Sequence, residues 1–239
     1  MCTVTWTLGR DGYELFFNRD ELRTRARAWP PTVRAIGGVE CLAPIDGDAG
    51  GTWLGVNAHG LSVGLLNGAP PRGPKVARPS RGQLVLRLLD GASSIEVEAR
   101  LAGVDVARFA PFRLFALDAA GSARAFRWDG SELAVERDVA AGTALISSSR
   151  DAEGAERERG AVLAQLRGER GLLDATLLRE FHASHAPERG PYSVCMHRED
   201  ARTVSFSQIR VAADTIEFEY HDGPPCTPAE IARRWLARR

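Results

Sequence analysis

Several features that would place a chain in a special class are scarce here. Of 31 basic residues only Lys75 is a lysine, which points to GC-rich coding and a bacterial source, not to a demand for guanidinium groups. Net charge is missing: 31 Lys and Arg balance 31 Asp and Glu. No global field therefore draws in nucleic acid, and no nucleic-acid partner is expected. No apolar run approaches the roughly 20 residues that span a bilayer, so no transmembrane segment is expected. The first ten residues, MCTVTWTLGR, alternate and form no apolar stretch behind a basic start. No signal peptide is expected either, and the expected location is cytoplasmic. The four cysteines, Cys2, Cys41, Cys195 and Cys226, are scattered without a CxxC. Disulfides are disfavoured, and each cysteine is first read as a small buried hydrophobe.

What is present is an ordinary core supply, with 44% hydrophobic residues in 239. No repeat, low-complexity tract or linker divides it, so one domain over 1–239 is expected. Composition gives no reading of oligomeric state.

The opening alternates Val4, Trp6 and Leu8 with Thr3, Thr5 and Thr7, the period of a strand. Asp11-Gly12 is a hairpin signal, and YELFF, a second strand, runs into Asn18-Arg19-Asp20-Glu21. Pairing through that turn sets opposite residues whose numbers sum to about 23, which brings Cys2 near Asp20 and Glu21. Residues 22–50 and the proline-rich 69–79 read as long loops. TWLGVN and LSVGLLN read as a second hairpin around His59, taken as an exposed turn residue. RGQLVLRLLD is predicted helical with Ser80 as N-cap, and a further helix is predicted to start at Ser93 or Ser94 and run to Leu101. Strands follow at FRLFALD, ARAFRWD, ELAVE and TALISSS, then helices over 152–168 and 174–185. YSVCMHR, TVSFSQIRV and TIEFEYH read as strands, and a short helix is predicted after Thr227-Pro228. This order predicts an α+β layered fold of antiparallel sheets, not a βαβ parallel sheet.

Position two carries the chemistry. Initiator methionine is removed before small residues, and removal leaves Cys2 with a free α-amine beside its thiol. Reference pKa values of about 7.7–8.0 for the amine and about 8.5 for the thiol are matched near neutral pH. The amine can therefore take the thiol proton and generate the reactive thiolate without a histidine. Arg19 would stabilise that thiolate by opposite charge, and Asp20 would accept hydrogen bonds from the ammonium. The bland alternative is an incidental cysteine with a solvated surface Arg-Asp pair.

MCT at the start, FFNRDE at 16–21, GGTWLGVN at 50–57, GLSVGLLN at 60–67 and SRGQL at 80–84 together resemble the NRDE, or transport-and-Golgi-organisation-2, family. More distantly the opening resembles cysteine N-terminal-nucleophile hydrolases such as bile salt hydrolases and penicillin V acylases. The resemblance implies a four-layer αββα sandwich. It implies Cys2 as nucleophile flanked by Arg19 and Asp20, with Asn67 contributing an oxyanion donor. Relatives carry a second asparagine in a motif like LSN. Here the matching stretch, ALISSSR, puts Ser148 there. The implied activity is cleavage of a small-molecule amide, or thioester, through an acyl-enzyme on Cys2, with no cofactor required and the substrate set by 22–50 and 69–79. The alternative implied by the family is a non-catalytic haem- or lipid-related binding or trafficking role.

His182, His185, Cys195 and His197 form an HxxH…CxH pattern whose spacing matches no standard zinc motif. They are read as core or surface residues, and no metal is expected.

Overall fold

The computed structural model describes residues 2–68 and 77–239. Strands β1 (Cys2–Leu8), β2 (Tyr13–Leu22), β3 (Trp29–Ile36), β4 (Val39–Ile45), β5 (Leu54–Asn57) and β6 (Ser62–Asn67) precede helices α1 (Gly82–Leu88) and α2 (Ser94–Ala102). Strands β7 (Phe112–Leu117), β8 (Ala123–Trp128), β9 (Leu133–Arg137) and β10 (Leu145–Ser147) lead to helices α3 (Ala152–Arg170) and α4 (Ala175–Ala183). The chain closes with β11 (Ala201–Val211), β12 (Thr215–His221) and β13 (Ile231–Ala237). One sheet runs β10-β1-β2-β11-β12-β13 and the other β3-β4-β5-β6-β7-β8-β9, with antiparallel pairing throughout.

Three apolar layers hold these elements together. The inner faces of the two sheets meet over Val4, Trp6, Leu15, Phe17, Val56, Phe115, Ile209 and Phe218. Behind the first sheet, Phe16 and Phe206 pack against Val162, Leu163, Leu177 and Phe181 of α3 and α4. Behind the second, Val63, Leu65, Leu114 and Phe126 pack against Leu84, Val85, Leu88, Val97 and Leu101 of α1 and α2. The result is the αββα sandwich of an α+β protein. Burying each such side chain contributes about 1.5–3 kcal/mol, so the layers outweigh any single polar contact. Helix starts follow local chemistry. Asp151 caps α3 by accepting from Gly154 N at 2.8 Å, Asp174 caps α4 by accepting from Leu177 N at 2.8 Å, and Ser93 caps α2. No described helix is long and apolar enough to cross a membrane.

Several expectations need correction. Residues 22–50 are not one loop: β3 and β4 lie within them. Pro30-Pro31 is tolerated because β3 is the sheet edge and shifts register between Trp29 and Thr32, while Gly37 and Gly38, with φ of 56° and 83°, make the tight hairpin turn. The segment after Thr227-Pro228 forms strand β13, not a helix. The edge of β12 offers Glu217 and Glu219, and Arg233 pairs with Glu219 across it at 2.8 Å. YSVCMHR forms only an isolated bridge, His197 to Arg202, because Ser193 Oγ bonds the Cys195 carbonyl at 2.8 Å and competes with a ladder. Ser80 does not cap α1 with its side chain; Arg81 is the N-cap, and the start is set by backbone packing of Gly82 on Thr52. The loop expected at 69–79 lies, over 69–76, outside the described residues.

Candidate active site

The site begins with the hairpin register. Gly9 N donates to Gly12 O at 2.9 Å, so the turn tip is Arg10-Asp11 and opposite residues sum to 21. The expected sum of 23 is displaced by two, which keeps every side chain on its face but sets Cys2 opposite Arg19. Gly12 is pinned because an added Cβ would lie 2.2 Å from Val211 O. On its other side Cys2 faces Ser147 of β10. Directly paired residues point the same way, so Ser147, Cys2 and Arg19 form one inward-facing row.

Cys2 and Arg19 of that row border a cavity of about 470 Å³ lined also by Glu21, Arg25, Asp46, Trp53, Asn67, Arg78 and Arg81 among others. Arg19 is buried, its guanidinium 4.0 Å from the Trp53 ring centroid and hydrogen-bonded to Asp46. Asp46 also accepts from Arg25 Nη2 at 2.8 Å and from Ala49 N at 2.8 Å. Burial pushes the Asp46 carboxyl up, but the Arg25 hydrogen bond, the Ala49 N–H and the two guanidinium charges hold it below the ordinary range. Among the described residues Arg78 and Arg81 donate to backbone carbonyls alone, at 2.8 Å to Phe109 O and 2.7 Å to Pro111 O. The cavity wall therefore carries four arginines against Glu21 and Asp46, an excess of positive charge. Asn67, at the end of β6, faces the cavity and its side-chain amide makes no hydrogen bond among the described residues.

Cys2 is 4% exposed. Burial pushes its thiol up to about 11, and the charges of Asp20 and Glu21 add to the rise. The thiol is protonated at neutral pH, so attack by this sulfur requires a base that removes its proton.

Of the five residues singled out in the sequence, Cys2, Arg19 and Asn67 meet at the cavity. Asp20 points the other way, toward the helices. Its carboxylate accepts from Thr203 Oγ1 at 2.6 Å and pairs with the fully buried Arg159 at 3.3 Å. Ser148 lies just past β10, and its Oγ accepts from Arg150 N and Asp151 N at 3.3 Å each, bracing the turn into α3. Sequence reasoning missed Ser147, whose Oγ is buried without a hydrogen-bond partner among the described residues. The pairing register reveals it, and the motif alone does not. His59 is half-buried in the β5–β6 turn, with its N–H on Asn57 Oδ1 at 3.0 Å. His182 is buried between Phe16 and Phe206, its Nε2 2.9 Å from Thr5 Oγ1.

The αββα sandwich of two antiparallel sheets is the architecture of the N-terminal-nucleophile-hydrolase-like fold. Solved structures agree on the fold. Penicillin V acylase from Agrobacterium tumefaciens matches at 14% identity with a TM-score of 0.56, covering 99% of this chain and 86% of its own. A mutant conjugated bile acid hydrolase from Clostridium perfringens matches at 12% identity and TM-score 0.58, covering 98% and 96%. The Caenorhabditis elegans N-acylethanolamine-hydrolyzing acid amidase ortholog matches at 12% identity and TM-score 0.61, covering 95% and 94%. No curated protein matches the chain's sequence. The model of the Transport and Golgi organisation 2 family matches residues 1–159, and the chain belongs to that family.

Proposed function

We propose that the protein is an N-terminal-cysteine hydrolase, acting in the cytoplasm, that cleaves a small-molecule amide, or a thioester, through an acyl-enzyme on Cys2. The observation that carries this reading is the convergence on one cavity of Cys2, Arg19 and the amide of Asn67, which has no partner among the described residues. After loss of Met1, the α-amine of Cys2 takes the thiol proton and the sulfur attacks the carbonyl carbon. Asn67 donates to the oxyanion, and Ser147, paired across from Cys2, offers a hydroxyl beside the sulfur. In this reading Ser148 supports the turn behind Ser147. The intermediate collapses as the ammonium protonates the leaving amine, leaving a thioester on Cys2. Water, giving its proton to the amine, then releases the acid and restores the thiol.

Arg19 supplies positive charge beside the sulfur, with Asp46 fixing its position over Trp53. Asp20 supplies negative potential from behind the strand and favours the ammonium. Arg78 and Arg81, which make no salt bridge among the described residues, suit a substrate with an anionic group away from the scissile bond. The test is hydrolysis of a panel of N-acyl amino acids and acyl thioesters by wild type and Cys2→Ser. Loss of turnover in the variant with an unchanged circular dichroism spectrum supports the reading. A carrier for haem or lipid instead binds its cargo equally well with either residue.

A further inference from the structure

Four side chains outside the candidate active site gather at one point. His185 follows the end of α4, Cys195 and His197 lie in the segment before β11, and Cys226 comes from the β12–β13 connection. One ligand atom from each lies within 4.8 Å of all the others. His197 Nε2 is 3.6 Å from Cys195 Sγ and 3.4 Å from Cys226 Sγ. Zinc with sulfur at about 2.3 Å and nitrogen at about 2.0–2.1 Å in a tetrahedron has sulfur–nitrogen edges of about 3.5 Å. Those two edges already have the length a bound ion requires. The His185 ring stands 5.1 Å from that of His197, and His185 Nε2 is buried with no hydrogen-bond partner among the described residues.

We infer that His185, Cys195, His197 and Cys226 form a tetrahedral site for a divalent transition metal, zinc foremost. A Cys195–Cys226 disulfide would use two of the four groups and leave the placement of both imidazoles unexplained. Two thiolates with two imidazoles select zinc over calcium or magnesium, and four protein ligands leave no open position. The role is therefore structural: the ion ties the end of α4 and the β12–β13 connection to the start of β11. It also reaches the candidate active site from behind. Met196, between two of the ligands, donates its N–H to Thr203 Oγ1 at 2.9 Å, and Thr203 in turn holds Asp20. Coordination through His197 Nε2 puts the ring proton on Nδ1, so the exposed Arg189, 3.4 Å from that atom, has to turn away.

The test uses full-length, untagged protein. Elemental analysis of wild type after zinc reconstitution and desalting is expected to give one zinc per chain. Titration of metal-free protein with Co²⁺ is expected to give the thiolate-to-cobalt charge-transfer band and the intense visible bands of tetrahedral cobalt. Cys226→Ser, in a surface connection, is expected to lose about half of the charge-transfer intensity and most of the bound zinc. Should that variant fail to fold, the wild-type cobalt spectrum decides alone. Substoichiometric zinc with no charge-transfer band overturns the inference, as does a metal-free protein in which Cys195 and Cys226 are joined as a disulfide. Neither readout involves hydrolytic activity, so this site and the proposed reaction stand or fall separately.

Discussion

Along β1 and β2 successive residues face two surroundings, and the two faces contrast. On the outer face Thr3 accepts from Arg159, Thr5 meets His182, Asn18 donates to the carbonyls of His182 and Val194, and Asp20 is held by Thr203 and Arg159. On the inner face Ser147 Oγ has no hydrogen-bond partner among the described residues, and Arg19 is clamped beside a cavity that Cys2 also lines. The Asn-Arg-Asp run thus divides by the period of the strand: its even positions anchor α3 and α4, and its odd position borders the cavity. Burial alone does not mark the difference. Cys41, in the second sheet, is also buried, with its thiol pushed up to about 12, yet it sits among the carbonyls of Val39 and Leu89, away from the cavity residues. Access and neighbours separate a candidate nucleophile from a packing cysteine.

The largest expected effect falls on the inner face. Cys2→Ser should lower turnover by more than about 10⁴-fold and leave the melting temperature unchanged, measured by single-turnover kinetics and calorimetry. On the outer face the balance reverses. Arg159→Leu takes the buried guanidinium away from the Asp20 carboxylate and from Thr3, and urea unfolding should show a loss of about 3–5 kcal/mol. An unchanged midpoint would erase the distinction between the faces. Asn67→Ala should lower kcat by about 10²–10³-fold with little change in stability, since its amide supports nothing else among the described residues. A variant with full kcat would remove Asn67 from the oxyanion site.

Per pH unit, the smallest effect sharpens the outer face further. Burial first, and the Arg159 charge second, depress His182 from 6.5 to about 3. Between those values the unfolded chain binds a proton that the folded chain refuses. Stability therefore falls as pH drops from about 6.5 toward 3, by up to about 1.4 kcal/mol per pH unit, and is indifferent to His182 above that window. His182→Gln should flatten this slope. Identical slopes for the two proteins would mean that His182 is not held neutral.

Much of this was legible in residue order. The Thr alternation of β1, the helix start at Ser93-Ser94 and the helix-strand sequence all lead to the layered α+β fold. The pairing of position two with the Arg-Asp run was legible to within two residues, because the identity of the turn tip depends on Gly12 packing against Val211, a contact 199 positions away. Edge strands β3 and β13 were hidden, since Pro30-Pro31 reads as a breaker and Thr227-Pro228 as a helix start until a neighbouring edge offers hydrogen bonds and carboxylates. Ser147 emerges only from strand register. Cys226 joins the histidines only through the β12–β13 connection, which no local spacing encodes.

The most direct test of the central claim is intact-mass spectrometry of the active protein before and after reaction with a thiol electrophile under native conditions. The account predicts a species lacking one methionine that gains a single adduct on Cys2, with activity lost in step. Active protein that retains the methionine, or that keeps its activity once Cys2 is modified, would contradict it.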